Sequence, residues 1–183
     1  MWKSRSTRIL ALVGVLVSFG EPVLAACADV AAPGVYWRRC FQDGQILRGV
    51  DLSGAVLRDA SFKRADLSGA NLMAVDARRA KFVSAVLHEI RFDEANMVQA
   101  DLTKAELQGA SLKNADLTRA RLFRADLRGA DLTGARLSGA DLLNANLSEA
   151  LWVDGVTVCA EGSLGQCNPK PPEADPDSTE PSG

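Results

Sequence analysis

One histidine, His88, and four cysteines are the entire complement of soft metal-ligating side chains in a chain of 183 residues. Cys27 and Cys40 lie near one end, Cys159 and Cys167 near the other, and His88 stands in the middle, so nothing has the close ligand spacing of a zinc site. The chain has no glycine-rich phosphate loop and no G-x-S-x-G elbow, and no serine or cysteine is placed by the sequence as a nucleophile for His88. No enzymatic activity and no cofactor are therefore expected. An excess of one charge is missing as well: 21 Lys and Arg face 23 Asp and Glu, a balance that argues against a general nucleic-acid binder. Nor is there an apolar run of the roughly 20 residues that a membrane span needs.

The apolar run that does exist, Ile9 to Phe19, has the setting of an export signal. Lys3, Arg5 and Arg8 precede it, and Glu21-Pro22 leads to the small residues Ala25 and Ala26, after either of which cleavage fits. A retained anchor is the alternative reading. Leu24-Ala25-Ala26-Cys27 also has the form of a lipobox, in which Cys27 becomes a lipidated first residue. Only in that case is membrane contact expected. Export to a periplasmic or extracellular address would put the even set of four cysteines in an oxidising compartment.

What fills the rest of the chain is a five-residue beat. From Ala55 to Ala150 every fifth residue is alanine except Val75 and Ile90, and two residues after each, Val75 apart, stands a larger apolar side chain, usually leucine. Such fixed-period self-similarity marks a solenoid. Side chains two apart in an extended chain share a face and those three apart do not, so the chain must turn within each unit to bring both inward. A single helix fails, because a five-residue stripe drifts around a period of 3.6. Short extended segments separated by corners remain. Gly54, Gly69, Gly109, Gly129, Gly134 and Gly139 share the phase where a corner would fall.

Units such as Ala65-Asp66-Leu67-Ser68-Gly69, Ala100-Asp101-Leu102, Ala125-Asp126-Leu127-Arg128-Gly129 and Ala140-Asp141-Leu142 resemble the pentapeptide-repeat family, whose unit is A-(D/N)-L-x-x. The resemblance covers roughly two thirds of the chain. It implies an all-β fold, a right-handed quadrilateral β-helix with four pentapeptides per coil. About six coils at roughly 4.8 Å would form a rod of about 30 Å. The pattern is weakest between Val75 and Met97, where Ala77 replaces a leucine and Ile90 an alanine. On this reading 1–26 is a signal peptide, 27–34 an N-terminal cap segment, 35–155 the repeat, 156–167 a C-terminal cap, and 168–183 a disordered tail rich in proline and acid. Of the three cysteine pairings, the local one, Cys27 with Cys40 and Cys159 with Cys167, crosses no coil; lipidation of Cys27 would leave Cys40 free.

With four units per coil, positions twenty apart stack. Phe62, Phe82, Leu102, Leu122 and Leu142 then form one inner column, and Trp37 and Trp152 close the two ends. On the same face Lys81, Asp101, Arg121 and Asp141 form an outward ladder of alternating sign, beside an apolar strip of Val83, Thr103, Phe123 and Leu143. Arg64, Lys104 and Arg124 line a corner, and Arg58, Arg78, Arg79 and Arg119 gather on the neighbouring face. The strip and the basic corner are the expected docking surface for a protein partner. The function expected is a non-catalytic exported interaction rod with an unknown envelope protein as partner and no nucleic acid. Two alternatives stand beside it: a DNA-mimicking member that interacts with gyrase, which would need a strongly acidic surface and a cytosolic address, and a lipid-anchored envelope accessory factor.

Overall fold

A computed structural model describes residues 27–171. The expected signal segment and nearly all of the acidic tail lie outside these residues. Within them the five-residue beat closes into a coil every twenty residues: Tyr36 bridges Val56, Phe41 bridges Ser61, Ile46 bridges Asp66 and Asp51 bridges Asn71, all parallel, and the same offset repeats down the chain. Four sides result. Face 1 carries the bridging column Tyr36, Val56, Asp76, Asn96, Asp116, Arg136; face 2 begins at Phe41, face 3 at Ile46 and face 4 at Asp51, each repeating at intervals of twenty.

The inner units repeat the same backbone bonds. Leu57 N–H donates to the Asp76 carbonyl in the coil below at 2.8 Å, Asp76 N–H donates to the Ala55 carbonyl above at 2.9 Å, and Ala60 N–H closes the corner on Leu57 O at 3.0 Å. The residue just before each inward corner position sits in the left-handed region, whether it is Gly54 (φ 65°), Ala74 (φ 53°) or Arg124 (φ 56°). Glycine adopts that conformation freely, whereas an L side chain there costs about 1–2 kcal/mol. Among the described residues, fifteen non-glycine residues accept this strain. None of them is β-branched or aromatic, as the sterics of that region require.

The aspartates before the leucines supply the turn support that offsets part of this strain. The Asp51 carboxylate accepts the Ser53 amide at 2.9 Å, Asp131 accepts Thr133 at 3.0 Å, and Asn146 accepts Ser148 at 3.1 Å. These are Asx turns. Where serine replaces aspartate, the carboxylate comes from the preceding coil: Asp43 takes the Ser61 hydroxyl at 2.6 Å and the Lys63 amide at 2.9 Å. Asp93 repeats the arrangement with Ser111 and Lys113.

Inside the coil, alanines at the corners and leucines on the sides are buried almost completely from Leu52 to Leu132. Each buried leucine contributes about 1.5–3 kcal/mol. Phe62 stacks on Phe82 with centroids 5.3 Å apart, Phe92 meets Phe82 edge-on at 5.7 Å, and Trp37 lies 6.3 Å above Phe62. Ala77 and Met97 are both fully buried in adjacent coils, the flexible thioether filling the space the short side chain leaves. Leu142, expected in the closed inner column, is instead only partly buried, because no coil follows it on its own face. Trp152 likewise packs partly buried against the core.

The ends are tied. Cys27 is bonded to Cys40, and Cys159 to Cys167. A lipid thioether at Cys27 would need the same sulfur, so this disulfide and the lipid-anchored alternative exclude each other. After Trp152 the chain reverses and pairs antiparallel with the last coil, Leu151 opposite Val158 and Asn146 opposite Leu164. Leu147 N–H thereby reaches Ser163 O at 2.8 Å, and Glu149 N–H reaches Cys159 O at 2.9 Å.

Candidate interaction surface

Stacking decides which charged side chains become neighbours. Between Tyr36 and Asp154, faces 1 and 2 carry thirteen Lys and Arg against six Asp, whereas faces 3 and 4 carry four against ten Asp and Glu. Faces 1 and 2 are adjacent, so a nearly neutral chain has one basic side and one acidic side. No count over the whole sequence reveals this, because the two halves cancel.

Ion pairing sharpens the division. Arg48 pairs with Asp66 at 2.5 Å on face 3, Lys113 with Asp131 at 3.1 Å on face 4, and Arg128 with Asp126 at 2.7 Å on face 3, so these cations are neutralised in place. On face 1, Arg58 and Arg78 share Asp76 at 2.5 and 2.9 Å, and Arg79 holds Asp59 at 2.7 Å. Burial would raise the Asp76 carboxyl, but hydrogen bonds from Arg78 and Arg58 outweigh it and leave the group below its ordinary range. The Arg79 hydrogen bond does the same for Asp59. Eight cations in the repeat have no ion pair among the described residues: Arg38, Arg39, Lys63, Arg64, Lys81, Lys104, Arg119 and Arg124. All eight lie on faces 1 and 2.

The residues singled out from sequence divide accordingly. Arg64, Lys104 and Arg124 share one exposed corner of face 2, with Lys104 and Arg124 in adjacent coils. The apolar strip expected beside them is not an exposed strip. Val83, Thr103 and Phe123 are half-buried; the Arg124 guanidinium sits 5.1 Å from the Phe123 ring centroid, in cation–π contact. Only Leu143 stands clear, 62% exposed. The ladder of alternating sign is also incomplete. Arg121 meets Asp101 at 3.6 Å, but Lys81 and Asp141 make no ion pair among the described residues. Lys81 therefore joins the unpaired cations. Sequence reasoning passed over Arg38, Arg39 and Lys63; the phase could have found the first two, Arg38 twenty residues from Arg58 and Arg39 forty from Arg79, whereas the positions twenty and forty residues from Lys63 hold no cation.

His88 Nε2 is hydrogen-bonded to the Glu106 carboxylate at 3.1 Å across adjacent coils, a surface tie with no nucleophile beside it. Among the described residues no group of His, Cys, Asp and Glu could hold a metal ion, and no helix is long and apolar enough to cross a membrane. A shallow depression lies beside the C-terminal cap between Arg128, Ser148, Glu149 and Gly162.

Two family models match the chain, one described as a pentapeptide repeat region over residues 55–132 and the other as pentapeptide repeats over 120–151. Among solved structures, the chain is 31% identical to HetL, a pentapeptide repeat protein involved in heterocyst differentiation regulation from Nostoc sp. strain PCC 7120, with 67% of this chain and 70% of that one covered and a TM-score of 0.46. It is 30% identical to Rfr23, a pentapeptide repeat protein from Cyanothece 51142, covering 58% of this chain and 81% of that one at a TM-score of 0.45. A pentapeptide repeat protein from the Arabidopsis thaliana thylakoid lumen is 29% identical, with 62% and 69% covered and a TM-score of 0.40. Comparison with curated proteins returns no match. The repeat unit, the twenty-residue stacking and these matches agree: the chain belongs to the pentapeptide repeat family.

Proposed function

We propose that this chain is a non-catalytic, exported interaction rod whose faces 1 and 2 receive an acidic surface of an envelope protein. The observation that carries the reading is the confinement of all eight unpaired cations to two adjacent faces. Charges already held by a carboxylate have little left to offer a partner, whereas unpaired ones raise the local potential and steer an anionic surface toward them. Export is supported by the charged and apolar leader and by two disulfides, which persist in oxidising compartments. A similar protein comes from a thylakoid lumen.

The test is photo-cross-linking in the native envelope from probes placed on each of the four faces. Probes on faces 1 and 2 are expected to capture one protein, and Lys104→Glu with Arg124→Glu to abolish the capture. Equal labelling from all faces would remove the reading. The acidic side, with its ten Asp and Glu, is the one feature favouring the DNA-mimic alternative. Thirteen cations on the remaining sides oppose it, and inhibition of gyrase by the mature chain would decide in its favour.

A further inference from the structure

Large apolar side chains that stand clear in solvent gather at the two ends of the rod: Val30, Tyr36, Phe41 and Ile46 at one, Leu143, Val156 and Leu164 at the other. The N-terminal group is built by the repeat itself. Tyr36, Phe41 and Ile46 hold the outward bridging position on faces 1, 2 and 3 of the first coil, and Phe41 and Ile46 are 82% and 76% exposed. At the same phase from Ser61 onward the residue is polar or charged everywhere except at Val86 and Leu151, both half-buried. Face 4 carries Asp51 at that level. The first coil therefore wears an apolar collar on three of its four sides, centred on face 2.

Charge separates the two ends. Arg38, Arg39, Lys63 and Arg64, four of the eight unpaired cations, lie in the first two coils, on the faces that carry Tyr36 and Phe41. The acids around them are engaged: Asp43 takes the Ser61 hydroxyl and the Lys63 amide, Asp51 the Ser53 amide and the Asn71 side-chain amide, Asp59 pairs with Arg79, and Asp66 with Arg48. Asp29 alone is exposed with no partner among the described residues. At the other end, Leu143, Val156 and Leu164 each stand two or three residues from an acid, Asp141, Asp154 and Glu161.

We propose that the collar and its arginines seat the N-terminal end of the rod on an anionic phospholipid surface. Apolar side chains ringed by unpaired cations match the bilayer interface, where rings and aliphatic groups enter the headgroup layer and guanidinium groups meet phosphates. The backbone sets the depth. The N–H and C=O groups of Tyr36, Phe41 and Ile46 have no backbone partner among the described residues, and hydrocarbon offers them none, so the end stops in the hydrated headgroup layer. The leader supports the same end: its apolar run Ile9 to Phe19 leads to Cys27, which the bond to Cys40 fixes on the first coil, so export delivers this coil next to the membrane. The contact needs no lipid on Cys27. It does not rest on the acidic-partner reading, and it leaves Lys81, Lys104, Arg119 and Arg124 on faces 1 and 2 pointing away from the bilayer edge and open to a protein.

Co-sedimentation of the mature chain, disulfides intact, with vesicles of phosphatidylcholine alone or mixed with phosphatidylglycerol tests this. At physiological salt the chain should bind the mixed vesicles about tenfold or more tightly than the neutral ones, and less tightly as salt rises. Phe41→Ser with Ile46→Ser, both at exposed positions, should leave the circular dichroism spectrum and the melting temperature unchanged and weaken binding about tenfold or more. Arg38→Glu with Arg39→Glu should reduce binding of the mixed vesicles to the level of the neutral ones. Lys104 and Arg124 lie three or more coils further on, at least about 14 Å at the strand spacing, beyond the screening length of about 8 Å. Lys104→Glu with Arg124→Glu, which tests the acidic-partner reading, should therefore change vesicle binding by about twofold at most. Absence of binding to the mixed vesicles overturns the proposal, as does binding that survives the Phe41 and Ile46 changes. An equal loss from the Lys104 and Arg124 changes also overturns it, because the rod would then lie along its basic side. So does self-association without vesicles that the Phe41 and Ile46 changes dissolve, since a second copy would then cover the collar.

Discussion

At Ala74 the backbone has φ 53° and the side chain is exposed, so the residue carries left-handed strain with nothing gained in packing. Replacing it by glycine, as at Gly54 and Gly69, is expected to stabilise the chain by about 0.5–1 kcal/mol, read as a higher midpoint in thermal unfolding. A lower midpoint would mean that unfolded-state entropy outweighs the strain. The opposite test is at Ala110, whose methyl is fully buried at a corner of face 4. Ala110→Leu should cost about 1–3 kcal/mol by overpacking, while Lys104→Ala, exposed and unpaired, should stay within about 0.5 kcal/mol. Gln108 would be a poor outward control: its Nε2 donates to Asp126 at 2.7 Å, so a side chain whose phase reads as plain surface ties two coils together. This is what a five-residue phase alone conceals, since it separates inward from outward but says nothing about contacts eighteen residues away.

A single coil is held to the next by backbone ladders and by carboxylates that fasten turns. The Ser53 amide bonded to Asp51 and the Ser68 hydroxyl bonded to Asp66 hold both carboxyls below their ordinary range, and Asp59 and Asp76 are held down by arginine as described. For a group whose folded pKa is depressed, the contribution is present above the unfolded value, about 3.9 for aspartate, and is lost as pH falls through the folded value. The melting temperature is therefore expected to be flat from neutrality to about pH 5 and to fall below about pH 4. Asp131→Asn should remove part of that acid dependence yet keep the turn, because Asn146 already serves the same role toward Ser148. A melting temperature that rises on acidification would contradict the assignment of these side chains as ionised acceptors.

Over the whole molecule, stability is stacked and the ends are the vulnerable units. The two disulfides close segments of thirteen and eight residues at those ends, each worth on the order of 2–3 kcal/mol in the chain-entropy account. Reduction should lower the thermal midpoint and speed hydrogen exchange first in the terminal coils, leaving the amides around Phe82 and Phe92 protected longest. Simultaneous loss of protection along the rod would argue for one cooperative unit instead. The basic side is likewise a property at this scale: its binding should weaken as salt rises, because exposed charges are screened over about 8–10 Å. Little of it was legible residue by residue. Arg64, Lys104 and Arg124 could be aligned from their spacing, but the isolation of Lys81 from Asp101 and the half-burial of Val83 and Phe123 depend on where neighbouring side chains settle.

The amino-acid sequence by itself determined the beat: small and large apolar residues two apart must both turn inward, and a corner must fall at the phase that collects the glycines and excludes β-branched side chains. It also placed Phe62 twenty residues from Phe82, ready to stack once four units complete a turn. Only the tertiary structure decided which residues twenty apart face the same side with or without a carboxylate in reach, and where the ladder ends unpaired. Charge segregation and an open edge are relations between coils, and a periodic sequence repeats the same local instruction in each coil without specifying what comes after the last.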